Sequence, residues 1–294
     1  MTIPNPRFQR LALLAGTDTM EALARCRVIV FGVGGVGSWC AEALVRSGIG
    51  ELDIVDSDTV CITNINRQIQ AADCTVGLLK TDTLGERLRG INPACKIRTL
   101  GKVFSLENAG EFDIPGADYV IDAIDSLTHK LDLIETACGA GTGFFSSMGM
   151  AQKLDPTRIK AADIWNTAGC PLARLVRQGL RKRGFAGHFT AVYSNEQLPL
   201  HREVGAACGA AQCLCPARNR DDPSAPVEWC GSKKVINGSA VTVTAAAGMI
   251  LASLVIRDLY RRCGGEDRAG EAEDRAAGRE RGSLGGVLRR EAAG

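Results

Sequence analysis

Apolar residues along this chain fall into short continuous runs separated by stretches with helical spacing. Residues 27–31 (RVIVF) form one such run, which stops at Gly32 and predicts a buried parallel strand. Val36, Trp39, Cys40, Ala43 and Leu44 then recur at helical spacing, and Gly48 and Gly50 close that helix after Ser47. The same reading gives strands at 51–55, 95–100, 119–123 and 144–148, and helices at 76–89 and 127–138. Asn92-Pro93 marks the end of the first of these helices. Strands alternating with helices predict a doubly wound, Rossmann-like α/β fold, with a mainly parallel sheet and helices on both faces.

After Gln152 the pattern changes. Residues 158–164 alternate as a strand, 172–183 read as a basic amphipathic helix, and 239–260 as a long apolar helix. These elements predict an antiparallel C-terminal extension of the sheet. Residues 194–234, rich in Pro, Gly, Cys, Asp and Asn, show little periodicity and read as a long loop. The expected organisation is one domain over 1–264, with a nucleotide-binding half at 24–150 and a substrate and dimer half at 151–264. The Gly- and charge-rich tail at 265–294 is expected to be disordered. The run at 241–256 (VTVTAAAGMILASLVI) falls short of the roughly 20 residues a membrane span needs. It carries Thr242, Thr244 and Ser253, and its small residues suit packing against a sheet, so a buried helix and no membrane are expected.

Composition adds little. The chain has 294 residues, 45% hydrophobic and 23% charged, which is enough for a sizeable core in one or two domains. A net charge of +2 excludes a global electrostatic argument for nucleic acid, though not a local patch. The first residues, MTIPNPRFQRLALLAG, do not read as a secretory leader. Twelve cysteines without such a leader point to free thiols in a reducing, cytoplasmic setting. Most, such as Cys26, Cys40, Cys138 and Cys263, sit singly in apolar segments and read as small buried hydrophobes.

The candidate chemistry begins at VIVFGVGGVGS. Gly32, Gly34 and Gly37, with Gly35 between them, fit the dinucleotide fingerprint, and Asp56 follows Gly37 by 19 residues, where an acid would hold a ribose. That fingerprint reports only a strand, a tight turn and a helix N-terminus facing phosphate, so an NAD oxidoreductase stays open at this point. The next residues change the picture. An NAD fold has no general need for Arg67 and Lys80 here, whereas a triphosphate does: the arginine offers a planar fork and the lysine a mobile point charge. Asn64 can donate to ribose or phosphate. DAIDS places Asp122 and Asp125 at a strand's carboxyl end, where ligands bind in open α/β sheets. A carboxylate facing triphosphate there suits Mg²⁺. Asp122 has the plainer alternative of bonding backbone at the strand end.

GVGGVGS, Asp56, NINRQ (64–68), VGLLK, INP and DAIDS occur here in the order found in the ubiquitin-activating-type (ThiF/MoeB/HesA-like) adenylating enzymes. The sequence resembles that superfamily over about residues 7–262. Within it, GVGGVGSW, EALVRSGIG, DTVCITNINRQI and YVIDAIDS are similar to the wording of the tRNA threonylcarbamoyladenosine dehydratases. The resemblance implies ATP-dependent conversion of threonylcarbamoyl-adenosine, next to the tRNA anticodon, to a cyclic form. It implies that Asp56 holds the ribose hydroxyls, that Asn64, Arg67 and Lys80 hold the phosphates, and that Asp125 holds magnesium. It also implies a homodimer, in which an N-terminal arginine of one subunit serves the γ-phosphate of the other; Arg10 fits that position best and Arg7 second.

The run RLVRQGLRKRG carries Arg174, Arg177, Arg181, Lys182 and Arg183. A solvated helix face is one reading and contact with tRNA phosphate the other. Cys208, Cys213, Cys215 and Cys230 lack the two CxxC pairs with which sulfur-carrier adenylyltransferases bind zinc, so zinc is not expected. His129, His188 and His201 show no ligand or base spacing. The alternative function is an adenylyltransferase that activates the C-terminal glycine of a ubiquitin-like sulfur carrier, and sulfur-transfer proteins remain open as partners. The missing CxxC pairs and the basic segment favour the tRNA reading.

Overall fold

The computed structural model describes residues 5–198 and 237–265. Seven strands form one sheet in the order β3-β2-β1-β4-β5-β7-β6. They are β1 (Arg27–Phe31), β2 (Glu51–Val55), β3 (Lys96–Leu100), β4 (Tyr119–Asp122), β5 (Gly143–Ser147), β6 (Ile159–Asp163) and β7 (Thr190–Ser194). All neighbours are parallel except β6 and β7, which run antiparallel with Ile159 opposite Ser194. The expected α/β architecture with an antiparallel C-terminal extension is therefore what forms.

Because side chains alternate along a strand, each strand feeds two cores. Val28 and Val30 of β1, with Leu52, Ile54 and Ile121, pack on one face under α2 (Thr17–Arg25), α3 (Gly37–Arg46), α4 (Lys80–Ile91) and α7 (Val241–Arg262). Ile29, Phe31 and Val120 pack on the other, under α5 (Leu127–Gly139) and α6 (Pro171–Lys182). Burial on both faces is why these strands read as unbroken apolar runs. A short α1 (Gln9–Ala15) precedes α2.

Two parts of the sequence reading need correction. The helix predicted from Val76 begins instead at Lys80. Gly77 sits at φ 89° and Thr59 bridges Leu79, so residues 76–78 form a turn that leads into this bridge and holds backbone bonds with Val60. β7 and the paired helices α1 and α2 go unpredicted by the periodicity. Helix α7 is long and apolar enough to cross a membrane, yet Val243, Ala247, Leu251 and Val255 are fully buried within the fold. The cysteine expectation holds for Cys26 and Cys40, which are buried, while Cys138 and Cys263 are half-buried. The predicted loop beyond Leu198, with Cys208, Cys213, Cys215, Cys230 and His201, lies outside the described residues, as does the tail after Gly265.

Candidate nucleotide site

The chain leaves β1 for β2 and β3 on one side of the sheet, then returns to place β4 on the other side of β1. This reversal opens a crevice at the carboxyl ends of β1 and β4, the position at which such sheets bind ligands. Gly32 leaves β1 with φ 84°, and a Cβ there would lie 2.7 Å from the carbonyl oxygen of Ala123, just past β4. A methyl at Gly37 would overlap the carbonyl oxygen of Gly32. Only glycine permits this turn, which delivers the chain into the N-terminus of α3 with its backbone N–H groups facing outward.

Asp56 follows β2 and locks that turn from the side. Its Oδ2 accepts the Val33 N–H at 2.8 Å and its Oδ1 the Asp58 N–H at 2.9 Å. Burial raises its carboxyl above the usual carboxylate range, against the pull of Lys80 and these backbone bonds. Lys80, the first residue of α4, is itself buried. Its ammonium lies 2.7 Å from Asp58 and 3.9 Å from Asp56. Burial would lower its pKa, but the carboxylates of Asp56, Asp58 and Asp125 outweigh burial and hold it above the usual value.

Arg67 reaches the same place from the turn after β2. Its Nη1 donates to the Thr63 carbonyl at 2.8 Å and to Asn66 Oδ1 at 3.0 Å. The Arg67 methylenes lie 3.2 Å from the position a Cβ would take on Gly35. Trp39 at the start of α3 donates its indole N–H to the Arg67 carbonyl at 2.9 Å. Asn64 is buried, and its Oδ1 accepts the Cys61 N–H at 3.0 Å, so the amide nitrogen is its remaining polar group. Asp125 is exposed on the loop between β4 and α5, and its charge acts on both Arg67 and Lys80. The structure therefore brings Gly32–Gly37, Asp56, Asn64, Arg67, Lys80 and Asp125 to one crevice.

The ThiF-family profile matches residues 8–272. This chain belongs to the ThiF family. The tRNA threonylcarbamoyladenosine dehydratase of Bacillus subtilis is 42% identical over 197 residues, covering 67% of this chain and 78% of that protein. That of Haemophilus influenzae is 35% identical over 262 residues, 87% of this chain and 94% of that protein. The structure of the E. coli dehydratase TcdA in complex with ATP superposes with a TM-score of 0.73 at 30% identity, covering 90% of this chain and 99% of that one. By contrast, a molybdopterin-synthase adenylyltransferase of Salmonella typhimurium is 34% identical over 129 residues, 43% of this chain.

In this ThiF-family chain the remaining candidates stand apart from the crevice. Arg7 and Arg10 are exposed. Arg7 shares a shallow cavity of about 410 Å³ with Phe8, Arg46, Gly90 and Ile91. Arg46 ends α3, so Arg7 sits a ten-residue helix, about 15 Å, from its own glycine turn. The basic segment is divided. Arg174, Arg181 and Lys182 are exposed, with Arg181 stacked 5.3 Å over the ring of Trp165. Arg177 donates to the Thr167 hydroxyl. Arg183 is exposed as well, and it pairs with Asp132 and Glu135 of α5 at 2.7 Å each. His188 pairs with Asp163 at 2.9 Å.

Asp122 does bond backbone, accepting the Ile124 N–H at 3.0 Å, and it also forms a buried ion pair with Lys130. Two participants escape a reading of the sequence. Asp58 is discoverable, since DSD places it two residues from Asp56 on the same side of an extended chain. Lys130 carries no such signal, because a lysine in LTHKLDL reads as a solvated helix charge.

Proposed function

We propose that this chain uses ATP to activate the carboxylate of threonylcarbamoyl-adenosine, next to the tRNA anticodon, and dehydrates it to its cyclic form. Likeness to dehydratases across both halves of the chain, against likeness to sulfur-carrier enzymes over less than half, is the observation that carries this reading. In it, Gly32, Gly34, Gly35 and Gly37 let the backbone approach the phosphates, Asp56 holds the ribose, and Asn64, Arg67 and Lys80 hold the phosphate oxygens.

A free carboxylate resists attack because its leaving group would be oxide. Transfer to the α-phosphorus of ATP releases pyrophosphate and gives an acyl-adenylate, whose leaving group is AMP. Charge spreads over the phosphate oxygens in that step, and Arg67 and Lys80, prearranged in a partly dry crevice, stabilise it. The carbamoyl nitrogen of the same side chain then closes the ring on the activated carbonyl. Proximity makes that step easy without a protein nucleophile.

Asp125 suits magnesium. It is an exposed carboxylate facing two phosphate-binding cations, and among the described residues no cluster of three or more His, Cys, Asp or Glu forms a self-contained metal site. A cation held by one carboxylate and phosphate oxygens is the coordination magnesium prefers, and it would supply further charge neutralisation.

A homodimer accounts for the outlying arginine. Leu13 and Leu14 on α1 are 78% and 80% exposed beside Arg10. A partner covering them would take Arg10 toward its own γ-phosphate. The exposed residues Arg174, Arg181 and Lys182, with Arg177 beside them, are assigned to tRNA phosphate.

The deciding experiment is ATP–pyrophosphate exchange with threonylcarbamoyl-modified tRNA, set against exchange with a ubiquitin-like protein ending in glycine. Exchange driven by the tRNA is expected. Exchange driven by the protein alone would replace this reading with the sulfur-carrier one.

A further inference from the structure

Asp122, Lys130 and Ser146 form a polar knot beneath the loop that carries Asp125, and all three are fully buried. Lys130 Nζ, from α5, lies 2.6 Å from Asp122 Oδ2. The Ser146 hydroxyl, from β5, donates to the same oxygen at 2.6 Å, and Lys130 Nζ is 3.4 Å from Ser146 Oγ. Burying two charges costs several kcal/mol per ion, and well-packed apolar residues of similar volume often stabilise such a space as well or better. Packing alone therefore does not explain the pair.

The link from this knot to the backbone explains it better. Asp122 Oδ1 accepts the Ile124 N–H at 3.0 Å, and Ile124 immediately precedes Asp125. On the other flank, Ala123 lies against the glycine turn: its carbonyl oxygen is 2.7 Å from a Cβ position on Gly32, and its methyl 3.2 Å from one on Gly37. Residues 123–125 are thus gripped between the nucleotide turn and an ion pair that water does not reach.

We propose that Lys130 is a positioning residue: with Asp122 and Ser146 it fixes the loop at 123–125 so that the Asp125 carboxylate is presented to the triphosphate. The inference rests on the role given to Asp125 above. Lys130 acts through Asp122 and touches no substrate.

Two variants test it. Lys130→Met with Asp122→Asn removes both charges at nearly constant volume, and Ser146→Ala removes one donor at little cost to packing. ATP affinity is measured by calorimetry in EDTA and again with magnesium chloride, beside the adenylation rate at saturating ATP and with Asp125→Ala as reference. Affinity in EDTA should stay within about twofold of the parent, while the gain on adding magnesium is lost. The rate at saturating ATP should fall about tenfold in Ser146→Ala and about a hundredfold in the double variant, as misplacement of a catalytic group by an ångström does, with KM for ATP raised by no more than the lost magnesium gain. Folded variants that keep the parental magnesium gain and rate, where Asp125→Ala loses both, would overturn the positioning role and leave the reading of Asp125 intact. An Asp125→Ala protein that behaves as the parent would instead remove that reading, and this inference with it. Should the double variant not fold, Ser146→Ala decides alone by the same two measurements.

Discussion

Lys80 and Asp58 are joined by a 2.7 Å ion pair at the edge of the nucleotide crevice. The lysine assigned to phosphate thus has a carboxylate as its close partner. An incoming triphosphate must compete with Asp58 for the ammonium. Asp58→Asn should tighten ATP binding by roughly three- to tenfold, since it removes both the competitor and a negative charge facing phosphate. Lys80→Ala should lower kcat/KM for ATP by about 10²- to 10³-fold, the usual loss when one preorganised donor is removed. Calorimetry and steady-state kinetics check the two arms.

Gly37→Ala should abolish ATP binding. Its methyl would overlap the Gly32 carbonyl, and neither backbone can retreat without opening the turn. We expect a stability loss of about 2 kcal/mol or more, read from urea unfolding, together with loss of nucleotide-induced thermal stabilisation.

Glu42 couples α3 to α4 and sets an acid limit on stability. It is buried, and Arg87 and Arg46 reach it at 2.6 and 2.8 Å. Burial raises its pKa, but the two arginines more than offset this and hold it below the usual range. A depressed carboxyl pKa contributes stability that is complete above the unfolded value of about 4.3 and is lost as pH falls through the folded value. The parent should therefore lose Tm on acidification below about pH 4, and Glu42→Gln should show a flatter curve. At neutral pH the variant should be about 1–3 kcal/mol less stable, the contribution of charged hydrogen bonds.

Arg174, Arg181 and Lys182 should act on tRNA and not on ATP. Replacing all three with alanine should weaken tRNA binding and reduce the slope of log affinity against log salt by about two to three, with ATP affinity unchanged. Arg183→Ala should leave the salt slope alone and cost stability instead, because its partners are Asp132 and Glu135 of α5. Filter binding across a salt series separates the two.

The strands β1, β2 and β4 are legible in the sequence to within a residue or so, because burial on both faces writes them as largely apolar runs, while the edge strand β3 (KIRTL), which has no buried residue, is legible from its β-branched residues after Asn92-Pro93. The crevice is legible for the same reason at Gly32–Gly37, where the backbone tolerates little else. β7 is not, since Thr190–Ser194 follows a Gly- and His-containing stretch and pairs with strands distant in sequence. The start of α4 is misread because Val76, Leu79 and Lys80 keep helical spacing while Gly77, in left-handed geometry, diverts the chain. Lys130 is hidden most completely. No periodicity can report that a charged side chain turns inward to meet a carboxylate on a neighbouring strand.

Helix α7 closes over the nucleotide turn, and this constrains how the protein is made. Thr244 Cβ lies 3.3 Å from a Cβ position on Gly35, Asn66 donates to the Ser239 carbonyl at 2.8 Å, and Val36 and Trp39 border Gly248. The fingerprint glycines emerge early from the ribosome, but their outer surface is supplied by residues translated some two hundred positions later. The turn therefore gains that outer surface only once α7 has been made. Far along the chain from the fingerprint, α7 is thus as much a part of the nucleotide turn's wall as the residues that follow β1, and a cut before Val241 would leave the core around Val33 and Cys40 open.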